Sequence, residues 1–201
     1  GKSINAAALL HDRGLRAFYS KLLWVSVGNS PSVRDLQDTL HHQLTGEPLP
    51  ASAKTEEQVL AALHDAARGE VMLQVIDDLW DAALVHSLSC IDLGTSSKLL
   101  ITTRIRDLVP SAVKVPVDLL PQVEALSLLL EAAEVEETTL DESSYSCAVE
   151  LINVCGGLPL LLTIAGSLIR SGDGNITAAH VAQLKASAPR GGGGGAGSLA
   201  A

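Results

Sequence analysis

The sequence predicts an α/β fold built on a parallel sheet, followed by an all-α part. Two observations carry this. Short, near-continuous apolar runs alternate with helical patterns over residues 1–119, and apolar strands joined by helices imply a parallel sheet covered on both faces. Beyond about Leu120 the strand-like runs stop and only helical spacing of Leu, Ile and Val remains.

Each element follows from local signals. Gly1-Lys2-Ser3 opens a helix. Leu22 to Val27 is rich in β-formers and is closed by Gly28-Asn29-Ser30-Pro31, so it reads as the first strand. Ser32 is placed to cap a helix whose apolar face is Val33, Leu36, Leu40 and Leu44. Thr55-Glu56-Glu57-Gln58 has the form of a capping box, and Val59, Leu60 and Leu63 follow it until Arg68-Gly69. Val71 to Ile76 is the second strand and ends in Asp77-Asp78; Lys98 to Thr103 is the third. Val113 to Val117 is expected to be a short fourth strand, with Pro116 suited to an edge. Helices are expected around Val123–Leu130, Tyr145–Val154 and Leu158–Arg170, with Gly156-Gly157 between the last two; Thr177 would cap another through Leu184. The expected organisation is an α/β part at 1–119, a helical part at 120–186 and a Gly-rich flexible tail at 187–201.

Composition removes several functions. The 201 residues carry a net charge of -9 and are only 2% aromatic. Nucleic-acid binding needs a basic face or a base-stacking platform, so no nucleic-acid partner is expected. The longest apolar stretch, near Leu158–Ile169, is shorter than the roughly 20 residues of a membrane span. Cys90, Cys147 and Cys155 form no C-x-x-C pair, which suits a reducing, cytoplasmic setting.

Four segments could carry chemistry. Gly1-Lys2-Ser3 matches the end of the phosphate-binding loop G-x-x-x-x-G-K-[ST], in which the Lys reaches phosphates and the hydroxyl meets Mg²⁺ at a helix N-terminus. Val71 to Asp78 is an apolar strand ending in acids. Asp77 there would hold Mg²⁺, and Asp78 would orient or activate water. Thr102-Thr103-Arg104 ends the third strand, where parallel sheets bind ligands; a Thr or Arg there, Thr103 and Arg104 included, can reach a terminal phosphate. Cys155-Gly156-Gly157-Leu158-Pro159-Leu160 joins two helices through a Gly stop and a Pro restart. His41-His42 is read as helix surface, the cysteines as core or ordinary thiols, and Glu131, Glu134, Glu136 and Glu137 as a solvated helix end.

In order, these segments resemble the NB-ARC domain, the nucleotide-binding switch of plant disease-resistance proteins and animal apoptosis-activating ATPases within the STAND class. The resemblance rests on Gly1-Lys2-Ser3, Leu23 to Val27, Val75 to Trp80, Lys98 to Arg104, Leu119-Leu120-Pro121 with Glu124-Ala125-Leu126, and Cys155 to Leu160. It covers roughly Gly1 to Arg170.

The resemblance implies a P-loop NTPase-type sheet, ADP or ATP as ligand, and Mg²⁺. Lys2 would bind phosphate and Ser3 and Asp77 the metal, with Asp78 as the catalytic carboxylate that orients or activates water. Arg104 would sense the γ-phosphate, and Pro159 would pack on the adenine. Other domains of a longer protein are implied as partners, with a homo-oligomer on activation and slow hydrolysis at most. The glycine-rich start of the P-loop and the family's central first strand are absent from the sequence. Losing about three charge-assisted hydrogen bonds, roughly 1.5–3 kcal/mol each, would weaken nucleotide binding a thousandfold or more. A turnover ATPase of another P-loop branch and a non-catalytic interaction scaffold are the alternative readings.

Overall fold

The strand Met72–Leu79 is buried along almost its whole length, as an apolar run needs when neighbours cover both its edges and both its faces. We label it β2. Lys21–Ser26 (β1) and Lys98–Thr103 (β3) pair with it on either side, both parallel, in the order β1-β2-β3. The computed structural model describes residues 1–172 and 174–187. These fall into two units, Gly1–Val115 and the part from Pro116 onward. The expected Gly-rich tail, beyond Ser187, lies outside the described residues.

The first unit surrounds the sheet with helices. In chain order they are α1 (Lys2–His11), α2 (Arg13–Phe18), α3 (Val33–Thr45), α4 (Glu56–Ala67) and α5 (Ala83–Leu88). Ser32 caps α3 by accepting from the Asp35 N–H. Thr55 and Gln58 form the reciprocal box of α4, which satisfies two N–H groups that a helix start otherwise leaves open. Leu23, Val25, Leu40, Leu63, Met72, Ile76, Leu79 and Leu88 make the core. Gln74 is a polar residue wholly inside it: its amide donates to the Leu88 carbonyl at 2.7 Å and accepts from the Cys90 N–H at 3.0 Å.

The edge of β1 is occupied by a side chain. The Trp24 N–H donates to Gln43 Oε1 and Gln43 Nε2 donates back to the Trp24 carbonyl, both at 2.8 Å. The Gln43 amide thus meets one residue of β1 as a neighbouring strand would. Among the described residues no strand pairs with the outer side of β3.

Three expectations need correction. Val113 to Val117 forms no strand; Val113 and Val115 are 94% and 78% exposed. β propensity without a neighbour to pack on does not make a strand. β2 does not stop at Ile76 but runs through the acids to Leu79. His41 is not surface: it is buried, with Nδ1 2.9 Å from the Glu47 carbonyl, while His42 is exposed.

The second unit is helical: α6 (Gln122–Ala133), a 3-10 turn at Glu137–Thr139, α7 (Glu142–Cys155), α8 (Pro159–Ser171) and α9 (Ala178–Ser187). Leu129, Leu151, Leu162 and Ile169 lead its core. Gly156, at φ +60°, ends α7 in the left-handed region, and Pro159 opens α8 at its first position. Gly166 lets α8 cross α6 closely: a Cβ there would lie 2.6 Å from Ala132 Cβ and 2.7 Å from the Leu129 carbonyl oxygen. Arg170 pairs with Glu134 at 2.8 Å on the solvent side.

Candidate functional site

The acids at the end of β2 meet the end of β3 through an irregular register. Ile76 faces Ile101 and Leu79 faces Thr103, so Asp77 and Asp78 together oppose the single residue Thr102. This two-against-one count is a β-bulge. Asp78 absorbs the extra residue with φ +52°, a left-handed conformation that Asp tolerates better than most side chains. Both acids are thereby presented at the C-terminal end of a parallel sheet, where such sheets bind ligands.

One hydroxyl ties the bulge together. Thr102 Oγ1 donates to Asp77 Oδ1 at 2.6 Å and accepts from the Asp78 N–H at 3.0 Å. Asp77 and Thr102 are both buried. No hydrogen bond from a described residue reaches the other Asp77 oxygen, Oδ2. Asp78 turns outward instead, with Oδ1 3.4 Å from Arg104 Nε. The Arg104 guanidinium lies over the Trp80 ring, 5.7 Å from its centroid, within cation–π range. Arg104 is 71% exposed, so the ion pair is worth at most about 1 kcal/mol and leaves the guanidinium free to exchange partners.

Asp77, Asp78 and Arg104 are therefore brought together, with Thr102 and Trp80 added to the set. Thr103 is adjacent, and its hydroxyl accepts from the Ile105 N–H at 3.0 Å. Gly1, Lys2 and Ser3 form the start of α1, which packs against β2 and β3. All three are exposed, and among the described residues no hydrogen bond or ion pair joins Lys2 or Ser3 to the acids. Pro159 belongs to the second unit, where its carbonyl accepts from the Thr163 hydroxyl at 3.0 Å. An apolar cleft of about 550 Å³, lined by His64, Val85, His86, Leu93 and Leu108, contains none of these residues.

The donor chemistry suits Mg²⁺. The Asp77 carboxylate and the Ser3 hydroxyl are hard oxygen donors, and Mg²⁺ takes few protein ligands because it keeps waters and phosphate oxygens. Among the described residues no group of three or more His, Cys, Asp or Glu is placed to cage a metal. Sequence reasoning missed Thr102's link to the acids and the Trp80 stack. The only sequence signal for Thr102 was a hydroxyl residue at a neighbouring strand end.

Residues 1–138 match the NB-ARC domain. The chain is 26% identical over 186 residues to disease resistance protein RPP13 of Arabidopsis thaliana, covering 84% of this chain and 21% of that protein. It is 28% identical over 186 residues to apoptotic protease-activating factor 1 of Danio rerio, covering 85% of this chain and 14% of the other. The chain thus spans about a fifth, or less, of the length of the curated relatives it matches. No described helix is long and apolar enough to cross a membrane. With the family's model matched over residues 1–138, more than half the sequence, the chain belongs to the NB-ARC family of STAND-class P-loop NTPases, found in disease-resistance proteins.

Proposed function

We propose that this chain is the nucleotide-binding part of a regulatory switch, off with ADP and on with ATP. The observation that carries the reading is the meeting of Asp77, Asp78 and Arg104 at one end of a parallel sheet. Asp77, with the Ser3 hydroxyl, holds Mg²⁺, which neutralises phosphate charge when bound. Asp78 orients the attacking water. Gly1, Lys2 and Thr103 contact phosphates, and Pro159 packs on the adenine.

Arg104 distinguishes the two states. Its guanidinium rests on Asp78 in an exposed ion pair. A γ-phosphate offers a more highly charged, bidentate partner than one carboxylate oxygen. ATP therefore draws Arg104 away, and ADP leaves it in place. Residues 1–119 are the α/β nucleotide-binding domain and 120–186 the helical subdomain. A P-loop-type sheet carries a further strand beside β3; in support, among the described residues no strand pairs with the outer side of β3 and segment 113–117 forms none. Oligomerisation on activation and the flanking domains belong to the longer protein.

Nucleotide binding is tested by equilibrium dialysis of ADP and ATP with Mg²⁺ against the chain and its Arg104→Ala variant. The expected result is weak binding, with ATP-over-ADP preference reduced in the variant and ADP binding nearly unchanged. Equal loss for both nucleotides would remove Arg104 from the sensing role.

A further inference from the structure

We infer that Thr102 is the positioning residue of the acid pair, its hydroxyl fixing which Asp77 oxygen faces the cation. The inference rests on the reading of Asp77 as a Mg²⁺ ligand and adds a residue to it.

Three observations lead there. First, the bulge sets two acids against one threonine, and bulges next to active sites re-aim side chains. Second, that threonine uses its hydroxyl fully: the hydrogen goes to Asp77 Oδ1 at 2.6 Å and the oxygen takes the Asp78 N–H at 3.0 Å. Because the oxygen is already accepting from an N–H, the hydroxyl hydrogen is directed at the carboxylate. Third, both Asp77 and Thr102 are buried, so water does not substitute readily for the missing donor.

The physical reason a donor is needed lies in the side chain itself. Rotation of a carboxylate about χ2 is broad and roughly two-fold, so Asp77 alone has little preference for one direction. A hydrogen bond to Oδ1 selects one orientation and leaves Oδ2 for the cation. Hydrogen bonds to metal-binding carboxylates typically govern metal affinity by tenfold to a hundredfold. Thr103, the next residue, does not share the task, because its hydroxyl is turned to the Ile105 N–H.

The test uses Tb³⁺ as an oxygen-seeking probe, read by luminescence sensitised by tryptophan. Trp80 lies three residues beyond Asp77. The unmodified 201-residue chain is compared with Asp77→Asn, Thr102→Val, Thr102→Cys and Thr102→Ser, each checked for fold by circular dichroism. Val keeps the shape and removes the hydroxyl; Cys keeps a weak donor. The expected result is a Kd for Tb³⁺ at least tenfold higher in Thr102→Val and Thr102→Cys, and within about twofold of the unmodified value in Thr102→Ser. If Thr102→Val fails to fold, Thr102→Cys carries the same expectation. Binding lost in Asp77→Asn but retained at full strength in the folded Val or Cys variant overturns the inference alone. No sensitised emission from the unmodified chain, or emission that Asp77→Asn leaves intact, overturns the cation reading and the inference with it.

Discussion

Gly166→Ala probes the close crossing of α8 and α6 in the second unit. The added Cβ would sit 2.6 Å from Ala132 Cβ, 2.7 Å from the Leu129 carbonyl oxygen and 2.9 Å from the Ala132 carbonyl carbon. Favourable carbon–carbon contact begins near ~3.5 Å, so α8 and α6 must part by about 1 Å. Two of the obstacles are backbone and the third is a methyl group fixed to it, so no rotamer change relieves the clash. With two of the three obstacles in the backbone, the overpacking lies at the upper end of the usual range, about 2–3 kcal/mol. The better helix propensity of Ala returns up to about 1 kcal/mol. The expected net loss is about 1–2 kcal/mol. With a urea dependence of ~2 kcal/mol/M, the midpoint of helix loss by circular dichroism should fall by about 0.5–1 M. Adding Ala132→Gly removes the nearest obstacle and should couple favourably with Gly166→Ala in a double-mutant cycle. An unchanged or raised midpoint for Gly166→Ala would refute the reasoning, since propensity alone would then have decided the outcome.

Three further outcomes are expected. Gln74→Leu strands the Leu88 carbonyl and the Cys90 N–H inside the core and should lower stability by about 2–5 kcal/mol, read by urea unfolding. Burial pushes the Cys90 thiol from an ordinary 9.0 up to about 12, so it should resist alkylation near pH 8 until the chain is unfolded. Its contribution to stability is present below 9.0 and is lost as pH rises toward 12, because the unfolded thiol ionises first. Asp92 runs the other way. The Gly69 and Gly94 N–H groups hold its carboxyl below the usual carboxylate range. Its contribution is present above 3.8 and fades as pH falls through the depressed value; Asp92→Asn should flatten that part of an acid-unfolding profile.

Local signals were legible where local geometry decides. Ser32 and Thr55 cap their helices because a short side chain needs only the N–H three residues on. Three of the four apolar runs became strands, each where a neighbouring strand was there to pair with, and the acids could be placed at a strand end. Register was not legible. The sequence contains both Asp77-Asp78 and Thr102, but only pairing across the sheet reveals that two acids face one hydroxyl. The same limit explains the failed fourth strand, since Val113 to Val117 has β-formers and no edge to join. His41 was misread because its partner, the Glu47 carbonyl, belongs to the loop after its helix rather than to its amphipathic pattern.

The Gln43 amide against Trp24 bears on how the isolated chain behaves at high concentration. An unpaired strand edge is a template for another copy, and β3 offers Leu99, Leu100 and Ile101 along such an edge. The opposite edge is stoppered at its middle by Gln43. A sheet open at both ends could add copies without limit and lead toward fibres. With the middle of the β1 edge occupied, edge-to-edge pairing is left to β3, and a contact of β3 with β3 would stop at a pair.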